Sequence, residues 1–154
     1  MRGLFIAITL MLAAAVTSPT IAKADAGLIV KSSPYSVPET LDRLEAIFKK
    51  KGLTVFTRID HAAGAARVNM DLAPTQVLIF GNPKLGTPLM QSQPEVAIAL
   101  PLKAVAWQDK AGKVWLGYTK PSVMASRFGI TDRPGIIKKM TGALNKLTNA
   151  ALKK

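Results

Sequence analysis

Ser36-Val37-Pro38-Glu39-Thr40-Leu41-Asp42-Arg43-Leu44-Glu45-Ala46-Ile47-Phe48-Lys49-Lys50-Lys51-Gly52 holds a complete helix between a start signal and a stop signal. At its head the Ser36 hydroxyl can accept from the amide of Glu39 while the Glu39 side chain reaches back, a capping box. Pro38 sits in the first turn, where its missing N–H does no harm. Val37, Leu41, Leu44, Ile47 and Phe48 then recur at three- and four-residue spacing on one face. Lys49 to Lys51 and Gly52 supply last-turn cations and a C-terminal glycine. The spacing predicts a helix over about 37–51, and the lysine triplet reads as a complement to the helix dipole rather than as a binding patch.

Working outward, strand formers flank this helix on both sides. Leu28-Ile29-Val30 is a short β-prone run stopped at Ser32-Ser33-Pro34, and Leu53 to Ile59 is rich in Thr, Val, Phe and Ile. Asp60 can cap a short alanine-rich turn of helix through Ala66. Gln76 to Phe80 reads as a third strand, ended by the turn signal Gly81-Asn82-Pro83. Thr87 to Gln91 and Pro94 to Ala99 each read as one or two helical turns opened by proline. Leu102 to Asp109 and Val114 to Thr119 form a hairpin around Asp109-Lys110-Ala111-Gly112, in a register that sets Trp107 opposite Val114 and Ala106 opposite Trp115.

A short turn near 121–127 precedes the last helix, about 133–152, for which Thr131 and Asp132 offer a cap and Pro134 an early proline. Ile136, Ile137, Met140, Leu144, Leu147 and Ala151 share one face, with Lys138, Lys139, Lys146 and Lys153 opposite. Packing across a sheet is the common fate of such a helix, and lying on an anionic membrane surface is the alternative. One strand-helix-strand crossover and one hairpin predict an α+β fold: a single small domain, with a mixed, mostly antiparallel sheet of about five strands and helices packed on one face.

Residues 1–24 have the order of a secretory signal peptide: Arg2, an apolar run from Leu4 to Val16, a polar break, and Ala22-Lys23-Ala24 as the cleavage triplet. The alternative is an uncleaved anchor. Cleavage near Ala24 would leave 25–154 as one exported domain, periplasmic or secreted. The chain has no cysteine and one histidine, which removes disulfides, thiolate chemistry, cysteine-type zinc and multi-histidine metal sites. No metal or cofactor is expected. Its formal charge of +12 favours anionic partners, or is simply a solvated, soluble surface. For an exported protein, lipid headgroups, wall polymers or small anions are the anions at hand, and no nucleic-acid partner is expected.

Asp60 and His61 form the one adjacent pair able to do acid and base work near neutral pH. Neighbours along a strand point to opposite faces, so the two would meet only if the chain turns at Asp60. Their plainer roles are a helix cap and a structural hydrogen bond. No nucleophile-base string is present. Gly81-Asn82-Pro83-Lys84-Leu85-Gly86-Thr87 could bring amides and Lys84 toward an anion, with Thr87 opening a helical turn, but it lacks the Lys-Ser/Thr of a phosphate loop. Trp107, Trp115 and Tyr118 read as core or dimer-seam aromatics.

Ile59-Asp60-His61, Leu72-Ala73-Pro74-Thr75, Phe80-Gly81-Asn82-Pro83, Gly86-Thr87, Leu89-Met90, Leu100-Pro101-Leu102 and Tyr118 together resemble the family catalogued as domain of unknown function 302, over about residues 27–130. The resemblance implies a compact α+β fold, common among exported bacterial proteins, and a homodimer; it implies no reaction. Asn69 departs from it, standing where a glycine is expected.

The expected function is therefore an exported binding or interaction module, with a small polar or anionic ligand near Asp60, His61, Asn82, Thr87 and Tyr118. One alternative is an enzyme with His61 as general base and Asp60 as its orienter. A second is an envelope or membrane-surface adaptor using the basic last helix.

Overall fold

A computed structural model describes residues 27–154, so the expected signal peptide at 1–24 lies outside the described residues. The element order is β1 (Leu28–Ser33), α1 (Val37–Lys50), β2 (Thr54–Asp60), α2 (His61–Ala66), β3 (Thr75–Gly81), α3 (Pro83–Ser92), a 3-10 segment (Pro94–Ala99), β4 (Leu102–Gln108), β5 (Val114–Thr119), α4 (Pro121–Arg127) and α5 (Pro134–Leu152). The strands make one sheet in the order β1-β5-β4-β3-β2, with every neighbouring pair antiparallel. The crossover through α1 joins the two edge strands, so it creates no parallel pair.

α1 begins where its sequence predicts, with the Ser36 half of the capping box in place. Glu39 N–H donates to Ser36 Oγ at 3.3 Å, and Pro38 occupies the first turn. Its apolar stripe, Val37, Leu41, Leu44 and Phe48, is buried against Leu78 and Phe80 of β3, Ala104 and Ala106 of β4, and Leu116 and Tyr118 of β5. The Phe48 and Phe80 rings lie 4.2 Å apart between centroids. α5 packs beside α1, burying Leu144, Leu147 and Ala151 in the same core. Its first half, through Met140, closes a smaller cluster with Leu89, Val96, Met124, Ala125 and Ile130. The apolar face of α5 is thus used by the fold. Among the described residues no helix is long and apolar enough to cross a membrane.

Period-two alternation sends the other set of strand residues to the opposite face. Val30, Val77, Ile79, Val105, Trp107 and Trp115 lie there, half-buried or exposed. Gly117 leaves room for the Trp107 ring, since a Cβ there would sit 3.0 Å from Trp107 Cζ3.

Several local expectations shift by a residue or an element. The hairpin pairs Trp107 with Trp115 and Gln108 with Val114, not Trp107 with Val114. The reason is the loop. The Asp109 carboxylate accepts the amides of Ala111 and Lys113, each at 2.9 Å, and Gly112 adopts φ +79°, which lengthens the turn by one residue and flips the partner's face. Asn82 caps a helix rather than closing a simple turn. Lys84 N–H donates to Asn82 Oδ1 at 2.9 Å, so α3 starts at Pro83 and Thr87 falls inside it. Burial of Leu89 keeps that helix going past Pro88, at the loss of one internal hydrogen bond. Neither Thr131 nor Asp132 caps α5. Asp132 instead accepts from Ser92 Oγ and pairs with Arg133, which holds the end of α3 against the start of α5. Asn69 has φ +57°, a left-handed conformation that glycine fills best and that asparagine tolerates better than most, which accounts for the departure at that position.

Candidate functional site

Asp60 ends β2 and caps α2. Its Oδ1 accepts from Ala63 N–H at 2.9 Å and its Oδ2 from Gln76 Nε2 at 2.8 Å. Those hydrogen bonds, the Ala63 amide first, hold its carboxyl below the usual carboxylate range. Gln76 in turn accepts from Arg58 Nε at 2.9 Å and Nη2 at 2.6 Å, and Arg58 also binds Asp42 and the Pro38 carbonyl of α1. Both Asp60 oxygens are therefore engaged in fastening α2 and β3 to β2. His61 follows as the first residue of α2, exposed to solvent. It lines neither of the two clefts described below.

Strand direction separates the expected residues. Because β2 and β3 are antiparallel, Asp60 pairs with Gln76 at one end of the sheet while Thr54 pairs with Gly81 at the other. Asp60 and His61 thus lie about 20 Å along the strands from Asn82, at ~3.4 Å per residue. The ends of successive strands meet where strands run parallel, and β2 and β3 run antiparallel. Thr87 is exposed on α3. Tyr118 is buried beneath α5, and that burial pushes its hydroxyl up from the ordinary tyrosine value.

The end of the sheet that carries Asn82 is hollow. A cleft of about 330 Å³ opens between the end of β3, the first turns of α3 and the middle of α5. Its walls are apolar: Leu53, Phe80, Leu85, Leu100, Leu102, Met140, Leu144 and Leu147, with Gly81, Gly86 and Ala143 widening it. Asn82, Lys51, Lys139 and Lys146 are its polar lining, and no carboxylate lines it. Phe80, Leu102 and Leu144 also belong to the wall of a second cleft of about 300 Å³, which Tyr118 joins. Asn82 and Tyr118 are therefore brought to the same end of the molecule but into different hollows.

The first turn of α3 has little left for an anion. Pro83 has no N–H, Lys84 N–H is taken by Asn82 Oδ1, and the amides of Leu85 and Gly86 donate to the Asn82 carbonyl at 2.9 Å each. The Lys84 side chain is exposed and does not line the cleft. The expected anion loop thus satisfies itself, and the positive charge at the cleft comes from the three lysines.

Sequence reasoning assigned Lys51 to the dipole of α1 and Lys139 and Lys146 to a solvated face. One signal pointed further: no acidic residue occurs between Arg133 and Lys154, so the lysines of α5 have no acid on their own helix to pair with. Lys31 was missed altogether. It lies on the inner side of β1, where its ammonium reaches four acceptors on α5.

Comparison with known proteins places these features in context. The family described as Domain of unknown function DUF302 matches residues 29–152, which includes α5 beyond the stretch that carries the resemblance by motif. An uncharacterised conserved DUF302 protein from Bacillus stearothermophilus has the same fold, with a TM-score of 0.65 at 22% identity over 82% of this chain and 96% of that one. Among curated proteins, the chain is 43% identical over 120 residues to the fluoride-specific ion channel FluC 1 of Brucella suis biovar 1, covering 77% of this chain and 47% of the relative. FluC 1 of Brucella abortus biovar 1 matches at the same 43% over 120 residues and 44% of its length. The chain thus spans less than half the length of these curated relatives.

Proposed function

The chain belongs to the DUF302 family, and on that premise we propose that it is an exported, non-enzymatic binding module whose ligand sits in the cleft beside Asn82. The carrying observation is that cleft: about 330 Å³ of apolar-walled space at a sheet end, edged by three lysines and no acid. Binding pockets have this build, mostly apolar with a few convergent polar groups. The name fluoride channel belongs to those relatives. What it supports here is modest: a domain of this kind occurs in chains named for a small anion.

The reading drawn from Asp60 and His61 as an acid–base pair has less support, since Asp60 spends both oxygens on the fold and His61 lies outside the clefts. The adaptor reading loses the apolar face of α5, which is buried. A homodimer through the outer sheet face is the partner proposal, supported by the apolar set around Trp107 and Trp115.

A magnetic resonance titration of the isotope-labelled protein with carboxylates from acetate to decanoate, phosphate and fluoride tests the binding reading. The amides of Gly81, Asn82, Gly86 and Ala143 should shift together. Shifts confined to other residues, or none, would remove it.

A further inference from the structure

We propose that the cleft beside Asn82 takes a single-chain amphiphile, an alkyl chain ending in one carboxylate, with the chain along the apolar walls and the carboxylate among Lys51, Lys139 and Lys146. The inference rests on the binding reading above and names its ligand class. Two properties of the hollow select that class, and they would not be met together by a small ion or by a neutral oil.

The first is the wall. Phe80, Leu100, Leu102, Leu144 and Leu147 offer no hydrogen-bonding side chain, and Asn82, the one uncharged polar side chain lining the cleft, already accepts from Lys84 N–H. A fully hydrated ion or a sugar would lose water contacts there without replacement. An alkyl chain gains by entering. The volume of about 330 Å³ equals roughly eleven waters at ~30 Å³ each, which suits a chain of about ten carbons.

The second is the rim. Lys139 and Lys146 are seven residues apart on α5, two turns along the same side and about 10 Å from each other along the axis, with Ala143 between them. Lys51 faces them from the end of α1. The ion pairs recorded among the described residues involve other cations: Lys49 with Glu45, Arg58 with Asp42, and Arg133 with Asp132. Three uncompensated ammonium groups around one apolar mouth call for one anionic head group above a chain. The helix N-terminus next to them contributes no free amide, so the head group is held by flexible lysines and its exact chemistry is loosely read.

Calorimetric titration of the purified protein with hexanoate, octanoate, decanoate and dodecanoate, below their micelle concentrations, tests this. Affinity should tighten about fourfold per added methylene and level off beyond about ten carbons. Ala143→Phe, which fills the mouth, should abolish decanoate binding without lowering the melting temperature. If that variant does not fold, Gly86→Leu serves, since a Cβ at Gly86 meets Leu100 Cδ1 at an ordinary 3.6 Å. Lys51→Gln with Lys139→Gln and Lys146→Gln together should weaken decanoate about tenfold and leave decanol unchanged. Acetate, phosphate or fluoride binding as tightly as decanoate would overturn the amphiphile and leave the binding reading standing. Decanol binding as tightly as decanoate would overturn the anionic head. Failure of every probe would overturn both readings at once.

Discussion

Lys31 Nζ on β1 donates to Thr148 Oγ1 on α5 at 2.8 Å, joining the edge strand to the last helix across most of the chain. The same ammonium donates to Asn149 Oδ1 at 2.6 Å, to Asn145 Oδ1 at 2.8 Å and to the Asn145 carbonyl at 3.2 Å. None of the four acceptors is a carboxylate. Burial without an acid lowers the Lys31 pKa from its ordinary 10.5.

Lys31→Met should therefore destabilise the protein by about 1.5 to 3 kcal/mol, the usual worth of hydrogen bonds to a charged group. The pH dependence has a definite sign. Between the lowered folded value and the unfolded value of 10.5, the unfolded chain binds a proton that the folded chain has released, so this lysine makes stability rise with pH. Urea midpoints of wild type and variant, followed upward from neutral pH, should diverge in favour of the wild type. A constant gap up to 10.5 would contradict the assignment.

Leu144→Ala should cost about 2 to 5 kcal/mol, because Leu144 is buried in the main core and walls the cleft. Lys138, Lys139 and Lys146 changed together to Gln should leave the melting temperature nearly where it was, since exposed charges without partners contribute little. Thermal melts of the two proteins compare burial with charge on one helix.

Asp109 offers an optical pH probe. Its Oδ2 accepts from Trp115 Nε1–H at 2.8 Å, and its Oδ1 from the amides of Ala111 and Lys113. The Trp115 hydrogen bond is the largest cause holding this carboxyl below 3.8. Its contribution to stability is present above 3.8 and is lost as pH falls through the lower folded value. Tryptophan emission should accordingly titrate below 3.8, and Asp109→Asn should remove that transition.

Gly142→Ala should stabilise the protein by about 0.4 to 1 kcal/mol. The position is inside α5, its backbone is helical, and nothing lies within 4 Å of where the new Cβ would go. An unchanged or lower melting temperature would count against the helix running unbroken through residue 142.

The outer sheet face tests the dimer proposal. Val30→Glu with Val105→Glu alters side chains outside the core, so the monomer should fold. Sedimentation should then show the double variant at half the mass of the wild type. Equal masses for both proteins would remove the proposed seam.

Legibility followed the range of the interaction that decides each feature. The ends of α1 were readable because Ser36, Pro38 and Gly52 act within a turn of their own positions. The caps of α3 and α5 were harder. Asp132 was read as a cap but is drawn off by Ser92 and Arg133, whereas Asn82 was read as part of a turn and instead caps α3 by accepting from Lys84 N–H. The hairpin was evident at Asp109 to Gly112, but its register hung on two side-chain hydrogen bonds inside the loop. At the site, Asn82 was named among the candidates, whereas its lysine neighbours come from α1 and α5 and were read one helix at a time.

The sequence alone determined where α1, the hairpin strands and the amphipathic α5 lie, and that the fold is α+β, because caps, turn residues and apolar periodicity act between residues close in the chain. Strand order and direction belong to the tertiary structure. They are settled by which apolar faces bury one another, through contacts such as Lys31 with Thr148 and Phe48 with Phe80 that no local pattern announces. Once every pair was antiparallel, Asp60 and Asn82 were carried to opposite ends of the sheet, and a hollow ringed by Lys51, Lys139 and Lys146 formed at only one of them.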